Sequence, residues 1–191
     1  MKSNASSQHA MRTRLFVFLT LLGGSVLFAS AAQAEPIPPD VQAKVEKYKH
    51  KLVEWAANPV IVTAIKEANA KGPGGMNNGT WDDLKEDDPK VMAHKTNAAG
   101  KQLAKWEEDK NINKLYIRDE KANFVAGSNK PLRFNNFNAP QFSSAFKSGK
   151  PFGASEMKPD PTTQVMSVQI AVPILDGGKT IGVMNSSVSA K

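Results

Sequence analysis

Cysteine is absent from the 191 residues, and histidine occurs only three times. The chain therefore has no cysteine nucleophile, disulfide, haem-attachment pair or cysteine-based zinc site. The hydrolase motifs Gly-x-Ser-x-Gly and His-Glu-x-x-His are also missing. His50 and His94 lie in lysine-rich helical stretches, which predicts two exposed surface histidines. We expect a binding protein without a cofactor or metal, not an enzyme.

Only one long apolar run is present, Leu15–Phe28 near the N-terminus. Lys2, Arg12 and Arg14 precede it, and small residues ending at Ala34 follow it. This three-part pattern is typical of a secretory signal peptide, so we expect cleavage after Ala34 and a periplasmic mature chain. The run is shorter than the roughly 20 apolar residues that span a bilayer, but retention of the segment as an N-terminal anchor stays open.

Acidic residues are fewer than basic ones, 18 against 25, and the whole chain has a formal charge of +7. Without Lys2, Arg12 and Arg14, the mature chain keeps 22 basic and 18 acidic side chains, or +4. This mild excess favours an anionic ligand. It does not favour nucleic acid, because the lysines alternate with acidic residues instead of forming a basic stripe. The remaining segment, residues 35–191, suits one domain with its own core.

The first half of the mature chain has helical periodicity. A long amphipathic helix is predicted from apolar residues at spacings of three and four: Val41, Val45, Tyr48, Leu52 and Trp55. Pro59 should interrupt this helix, with a second helical piece over Val60–Ala68. Thr80 and Asp83 resemble a capping box, which predicts a short helix that begins there. One more helix is predicted from Pro89, with a buried stripe formed by Met92, Ala99, Leu103 and Trp106.

The second half has the composition of β-strands. Thr163–Leu175 and Thr180–Val188 are rich in Val and Ile, and the loop Asp176–Lys179 between them contains two glycines, which predicts a central β-hairpin. Pro173 lacks a backbone N–H and is expected at the end of the first strand or at a bulge. Further predictions are strands over Leu115–Ile117, Phe124–Ala126 and Phe152–Met157, a polar turn over Arg118–Asn123, and a short helix from Pro140. Helices followed by an antiparallel sheet make an α+β domain.

An asparagine-rich connection, residues 129–138, is the first candidate ligand site. Phe134 and Phe137 can form apolar walls, and Arg133 can hold a carboxylate or phosphate in a bidentate grip. Asn135 or Asn136 can supply adjustable donors and acceptors. The alternative is that both phenylalanines cover the edge of the sheet while the asparagines satisfy the loop backbone.

Polar side chains on the predicted strands form the second candidate site. Tyr116 lies on one strand, and Ser167 and Gln169 lie on another. Because strand side chains alternate, Ser167 and Gln169 share the face opposite Val168 and Ile170. Polar groups on a covered face need partners, and a ligand can supply them. A solvent-exposed sheet face is the alternative.

Three stretches, Trp55–Ile65, Leu115–Ala126 and Val168–Val183, resemble Cache domains, the PAS-like extracytoplasmic sensor modules of bacterial chemoreceptors and sensor kinases. The resemblance covers roughly Asp40–Ser189 and includes no catalytic signature. It implies a long N-terminal helix on one face of a five-stranded antiparallel PAS-like sheet. On the other face it implies a small molecule under a cover formed by Asn129–Phe146.

Family members that recognise amino acids carry an Arg-x-x-Trp-Tyr element, a later Tyr-x-Asp and an Asp near the end of the last strand. Arg133 and Asp160 resemble two of these positions. The aromatic pair is not reproduced, Lys158 replaces the tyrosine, and Ser187 stands near the final aspartate. The resemblance therefore implies a small polar metabolite, either a carboxylate or an amino acid. The predicted ligand-binding residues are Tyr116, Arg133, Phe134, Asn136, Phe137, Asp160 and Gln169.

The predicted function is ligand sensing without catalysis. Because the sequence stops at Lys191, straight after the last strand, we expect the domain to act with a separate membrane receptor or kinase. The resemblance also implies a homodimer through the first helix. Two alternatives stay open: a protein–protein interaction module of the same fold without a small ligand, and a secreted enzyme whose site has no recognisable motif.

Overall fold

A computed structural model describes residues 35–191; the predicted signal peptide, residues 1–34, lies outside the described residues. The helices in this part of the chain are α1 (Pro39–Ala56), α2 (Pro59–Lys71), α3 (Asn78–Asp82), α4 (Pro89–Thr96), α5 (Ala98–Glu107) and α6 (Pro140–Ser148). The strands are β1 (Glu35–Pro36), β2 (Ile112–Asp119), β3 (Phe124–Gly127), β4 (Phe152–Gly153), β5 (Glu156–Pro159), β6 (Met166–Asp176) and β7 (Lys179–Ser189). Between residues 35 and 191, none of the helices has both the length and the apolar character needed to cross a bilayer.

The strands form one antiparallel sheet in the order β1-β5-β6-β7-β2-β3, with β4 also paired to β6. Its centre is the predicted hairpin of β6 and β7, in which Asp176 pairs with Lys179. The two residues between them, Gly177 and Gly178, have φ angles of 57° and 85°, so the turn uses the left-handed backbone that glycine adopts most easily. The predicted α+β architecture is confirmed, with a long N-terminal helix packed on an antiparallel sheet.

The main core lies between α1 and one face of the sheet. α1 begins with Pro39 and carries Asp40 in its first turn, where a fixed φ and a negative charge are both favourable. It buries four residues of the predicted stripe, whereas the fifth, Trp55, is half-buried. The four residues join side chains of α2 and β6 in one cluster: Val41, Val45, Tyr48, Leu52, Ile61, Ile65, Val168, Ile170 and Val172. Pro59 starts α2 as predicted, and the Asn58 side chain accepts the Val60 N–H at 2.9 Å to cap it.

The helix α3 begins earlier than its sequence pattern predicts. Asn77, not Thr80, is the cap: its side-chain oxygen accepts the Thr80 N–H at 3.1 Å, and the Thr80 hydroxyl accepts the Asn77 N–H at 3.0 Å. Thr80 is therefore the third helical residue of a reciprocal capping box. Threonine here supplies the oxygen that a glutamate supplies in the usual form of this motif.

The helix predicted from Pro89 is in fact two helices. Asn97 leaves helical geometry, with ψ of 167°, and its side chain accepts the Gly100 N–H at 2.7 Å to cap α5. A Cβ at Gly100 would lie 2.4 Å from a carbonyl oxygen of α4, so glycine permits this close junction. The break also changes the buried face of α4. Val91 is fully buried, whereas Met92, predicted in the buried stripe, is 36% exposed.

Pro173 lies inside β6 instead of at its end or at a bulge. It pairs with Val183 of β7, and the register shift between these strands comes later, after Ile174. On the other edge of β6, the pairing with β4 ends at Ala171, opposite Phe152. Pro173 thus has one neighbouring strand within residues 35–191, and its missing N–H interrupts no second ladder.

His94 is half-buried, although the sequence pattern predicted an exposed residue; His50 is exposed as predicted. The Nδ1–H of His94 donates to the Val125 carbonyl oxygen at 2.9 Å. Its ring centroid lies 5.7 Å from that of Trp81 and 5.1 Å from that of Phe124. Local periodicity could not indicate this environment, because α3 and β3 supply the aromatic partners. Burial lowers the pKa of His94, and the hydrogen bond to Val125 opposes this effect only in part.

Acidification is expected to destabilise the domain through His94. The unfolded imidazole takes up a proton near pH 6.5, whereas the folded one does so only at lower pH. The unfolded state therefore binds more protons in this interval, and the free energy of unfolding falls as the pH falls through it. The urea midpoint should decrease more between pH 7 and pH 5 for the wild type than for His94→Gln. Equal decreases in the two proteins would contradict the assignment of this destabilisation to His94. His50→Gln is the matched control, because His50 is an exposed histidine.

Candidate functional site

A cavity of about 530 Å³ lies on the face of the sheet opposite α1. Its floor is formed by side chains of β2 and β6: Lys114, Tyr116, Arg118, Ser167 and Gln169. Their neighbours in sequence, such as Leu115 and Val168, belong to the core under α1. This arrangement follows the strand period of two, and it confirms the predicted shared face of Ser167 and Gln169.

The roof of the cavity is the connection after β3 together with the start of α6: Pro131, Leu132, Arg133, Asn136, Pro140 and Gln141. α3 holds this connection at two points. The Trp81 Nε1–H donates to the Pro131 carbonyl oxygen at 2.8 Å. Asn78 and Asn135 exchange two hydrogen bonds, of 2.8 Å from the Asn135 N–H and 3.1 Å from the Asn78 Nδ2. The cavity is therefore already formed by contacts within the chain.

Four of the seven predicted ligand-binding residues line this cavity: Tyr116, Arg133, Asn136 and Gln169. Asp160 lies directly beside it, fully buried and paired with Lys114 of the floor. The remaining two, Phe134 and Phe137, lie elsewhere. The structure thus brings together the polar residues and Tyr116 of the predicted site and leaves out its two phenylalanines.

Phe134 packs into an aromatic cluster on the far side of the roof. Its ring centroid lies 5.5 Å from that of Trp81, and its side chain is 2% exposed. This is the packing alternative weighed above. Phe137 is 53% exposed, with its ring centroid 6.3 Å from that of Phe142 in α6. Apolar surface in the cavity comes instead from residues that include Pro131, Leu132 and Phe152.

Arg118 joins the cavity because β2 is longer than its sequence pattern predicts. The pattern placed Arg118 in a polar turn, but the strand continues to Asp119, and Arg118 is 1% exposed. Its Nη1 donates to the carbonyl oxygens of Ala122 and Phe134 at 2.9 and 2.5 Å. Its Nη2 donates to the carbonyl oxygen of Arg133 at 2.9 Å. The alternation of Lys114, Tyr116 and Arg118 was the available sequence signal, since it extends the strand period past the predicted end.

The guanidinium of Arg118 is a buried cation with an unused donor. Burial lowers the pKa of Arg118, while Tyr116 and Asp119 raise it, and an arginine side chain stays protonated at neutral pH. The Arg118 Nε–H has no hydrogen-bond partner among residues 35–191. The central carbon of the guanidinium lies 5.0 Å from the centre of the Tyr116 ring, within the range of a cation–π contact.

Lys114 and Asp160 form an ion pair at the side of the floor, with Nζ and Oδ2 2.8 Å apart. Five groups donate to Asp160: the N–H groups of Thr162 and Thr163 to Oδ1 at 2.9 and 3.2 Å, and Lys114, Ser187 and Gln169 to Oδ2 at 2.8, 3.1 and 3.4 Å. Burial by itself would raise the pKa of Asp160. The Lys114 ammonium and the two backbone N–H groups outweigh that effect, so the pKa lies below its usual value.

Unpaired donors and positive charges predominate around the cavity. The hydroxyl of Ser167 is 1% exposed and has no partner in the described part of the chain. Glu156 forms an ion pair with Lys158, as Asp160 does with Lys114. Within residues 35–191, Arg118 and Arg133 form no ion pair, so two positive charges at the cavity remain uncompensated. The cavity is chemically suited to an anion.

A second hollow of about 710 Å³ lies between α2, the α4–α5 junction and β3. Several of its polar side chains already have partners. Asp119 accepts the N–H groups of Lys121 and Asn123 at 2.9 and 2.8 Å, and Asn97 caps α5. This hollow therefore offers fewer free polar groups to a ligand than the cavity under the roof. No group of three His, Asp or Glu side chains between residues 35 and 191 is placed to hold a metal ion.

No protein-family model matches the chain, and no curated protein matches it. Among solved structures, the chain is similar to the sensor domain of the V. cholerae histidine kinase DctB, with 16% identity and a TM-score of 0.41 over 78% of this chain and 57% of that one. It is also similar to the sensory domain of the Campylobacter jejuni chemoreceptor Tlp3 with isoleucine bound, with 13% identity and a TM-score of 0.41 over 80% and 64% of the two chains. It is similar as well to the ligand-binding domain of Mlp24 with asparagine, with 16% identity and a TM-score of 0.40 over 78% of this chain and 59% of that one.

The chain thus spans 57–64% of the length of these solved chains. One is the sensor domain of a histidine kinase, one the sensory domain of a chemoreceptor and one a ligand-binding domain. The helix-on-sheet architecture described above is the one that the resemblance to Cache domains implied.

Proposed function

We propose that the chain is a Cache-type sensor domain without catalytic activity, whose cavity binds a small anionic metabolite, most simply a carboxylate. One observation carries the proposal: two residues that line the cavity, Arg118 and Ser167, each have a buried donor, the Nε–H and the hydroxyl, that has no partner within residues 35–191. Buried polar groups are nearly always paired in folded proteins, so a ligand that accepts hydrogen bonds is a physical reason for both. The volume of about 530 Å³ lies in the range of small-molecule sites.

A carboxylate suits these donors better than a neutral ligand. Its two oxygens can accept from a guanidinium and a hydroxyl at the same time, and charge-assisted hydrogen bonds are shorter and stronger than neutral ones. Arg133 on the roof can approach the same anion from the solvent side, because its side chain is exposed and forms no ion pair in the described part of the chain. Binding would then draw the roof towards the floor.

The cellular setting belongs to the proposal as well. We propose that residues 1–34 direct export and are cleaved after Ala34, so that the domain works in the periplasm. Its output would pass to a separate membrane receptor or kinase, and a homodimer through α1 is a further prediction. The class of the partner and the homodimer follow from the resemblance to Cache sensor domains.

Small carboxylates are expected to raise the melting temperature of the purified protein. A ligand present at a hundred times its dissociation constant stabilises the native state by about 2.7 kcal/mol. Arg133→Met should weaken binding roughly ten- to a hundredfold, because it removes one charge-assisted contact. Lys66→Met is the control, since Lys66 pairs with Asp176 outside the cavity. A folded protein that responds to no carboxylate or other small anion would reject the proposal.

A protein–protein interaction module of the same fold is the second candidate. Leu132 and Phe137 favour it, because these large apolar side chains on the roof connection are 57% and 53% exposed. Isolated apolar residues on a surface are common, so this support is weaker than that for a ligand. If no small molecule binds, loss of a membrane partner on replacing Phe137 with serine would favour the module.

A further inference from the structure

Asp160 is the carboxylate closest to the cavity floor, and its capacity to accept hydrogen bonds is already used. Five donors from within the chain reach its two oxygens, at 2.8 to 3.4 Å. Each carboxylate oxygen offers about two lone-pair sites, so no acceptor position is left for a ligand. The strongest of the five donors is the ammonium of Lys114, whose side chain is 14% exposed.

The other carboxylate at the cavity is also occupied. Glu156 forms an ion pair with Lys158 on the rim. A ligand ammonium that entered the cavity would meet the charges of Arg118 and Arg133, and both of these carboxylates are already paired with a lysine. At the short distances inside a small cavity, such like-charge contacts are unfavourable.

We infer that the Lys114 side chain occupies the place of a ligand ammonium, so that the cavity selects small carboxylates without an amino group over amino acids and amines. This inference rests on the proposed function, because it concerns the ligand class of the same cavity. Lys114 is then the specificity-determining residue. It neutralises Asp160, so that this carboxylate is not available to a ligand ammonium, and the net positive charge at the cavity comes from Arg118 and Arg133.

Matched pairs of acids test the selection directly. Calorimetry with succinate against L-aspartate, and with butanoate against L-2-aminobutanoate, should show at least a tenfold preference of the wild type for the acid without the amino group. Lys114→Ala should reduce the ratio of acid affinity to amino-acid affinity at least tenfold or reverse the preference, because it frees Asp160. Arg133→Met is the control, since it should weaken both members of a pair and leave the ratio unchanged. A wild type that binds the amino acid as tightly as its matched acid would overturn the inference.

A second measurement does not depend on any anion. Lys114→Ala lacks the side-chain segment from Cγ to Nζ, and n-propylammonium has the length of this segment. Added n-propylammonium should therefore restore the pairing with Asp160. It should raise the melting temperature of Lys114→Ala more than tetramethylammonium does at equal ionic strength, and it should have no such effect on the wild type or on Lys114→Ala combined with Asp160→Asn. An equal effect on the double variant would reject Asp160 as the binding group.

The two measurements fail in distinguishable ways. Rescue by n-propylammonium without acid binding to the wild type would reject the proposed function, and with it the selection. A preference for acids without rescue would reject Lys114 as the cause of the selection. If Lys114→Ala does not fold, Lys114→Gln retains most of the side-chain length without the charge, and its ratio of acid to amino-acid affinity should still narrow; an unchanged ratio would again reject Lys114.

Discussion

Replacing Arg118 with methionine is expected to lower the free energy of unfolding by about 3–4 kcal/mol and to abolish ligand binding. Methionine keeps most of the aliphatic volume, so the loss comes from the guanidinium. Three carbonyl oxygens, those of Ala122, Arg133 and Phe134, would each lose a donor. Those of Ala122 and Phe134 would keep a backbone N–H, whereas that of Arg133 would keep no donor within residues 35–191. Ala122 also has a positive φ of 65°, which a residue with a Cβ adopts at a cost and which the hydrogen bond from Arg118 helps to hold.

Urea denaturation measures the stability part of this prediction, and Arg133→Met is its matched control. Both residues are arginines at the same cavity, but the side chain of Arg133 is exposed and Arg118 is 1% exposed. Arg133→Met should change the free energy of unfolding by less than about 0.5 kcal/mol while still weakening ligand binding. If Arg118→Met were as stable as Arg133→Met, the buried guanidinium would not be the group that fixes the roof to the floor.

The elements with strong local signals could be predicted from the sequence. The stripe from Val41 to Trp55 has the period of one helix, and the Val- and Ile-rich runs around Gly177 and Gly178 have the composition of one hairpin. For these elements local pattern and tertiary packing agree, because the same residues that define the period form the core. The junction at Asn97 could not be found in this way. An asparagine is compatible with a helix interior as well as with a cap, and only the packing of α4 against α5 decides between them.

The candidate site was predictable in its location but not in its electrostatics. Residues 129–146 cover the sheet as expected, and Ser167 and Gln169 face that cover because strands alternate. Arg118 and Lys114 were missed for a physical reason: a buried cation is tolerated only through tertiary partners, and those partners are remote in sequence. The carbonyl oxygens that hold Arg118 come in part from the roof, and Asp160 is separated from Lys114 in sequence by α6 and three strands.

Phe134 is the opposite case, a residue predicted to bind the ligand that packs outside the cavity. An aromatic residue beside an arginine is a reasonable wall for a ligand site, and the sequence offers no reason to prefer core packing. The choice depends on Trp81, which binds the roof by its indole N–H and offers its ring to Phe134 on the side away from the cavity. Two consecutive residues of the roof therefore face different surfaces. Arg133 lines the cavity, and Phe134 packs into the aromatic cluster.

Asp160→Ala is expected to destabilise the domain by about 3–5 kcal/mol, the range measured when one partner of a buried ion pair is removed. The Lys114 ammonium would keep its place at 14% exposure without a counterion, and the N–H groups of Thr162 and Thr163 would lose their acceptor. The matched control is Asp176→Ala. Its pair with Lys66 has the same length, 2.8 Å, but the two side chains are 44% and 56% exposed, so its loss should cost less than about 1 kcal/mol. Equal costs at both sites would show that the Asp160 pair contributes no more than a surface pair.

The pH dependence of Asp160→Asn separates the ion pair from simple packing. The pKa of Asp160 is lowered in the folded state, so its stabilising contribution is complete above the unfolded value of 3.8 and is lost as the pH falls through the folded pKa. Asp160→Asn should therefore be less stable than the wild type at pH 7, and the difference should shrink as the pH falls below about 4. The pKa of Asp109 is also lowered in the folded state, but Asp109 is present in both proteins. Its contribution to the pH dependence therefore cancels when the two stabilities are subtracted. A difference that stayed constant down to acid pH would mean that Asp160 stabilises the cavity by its shape and not by its charge.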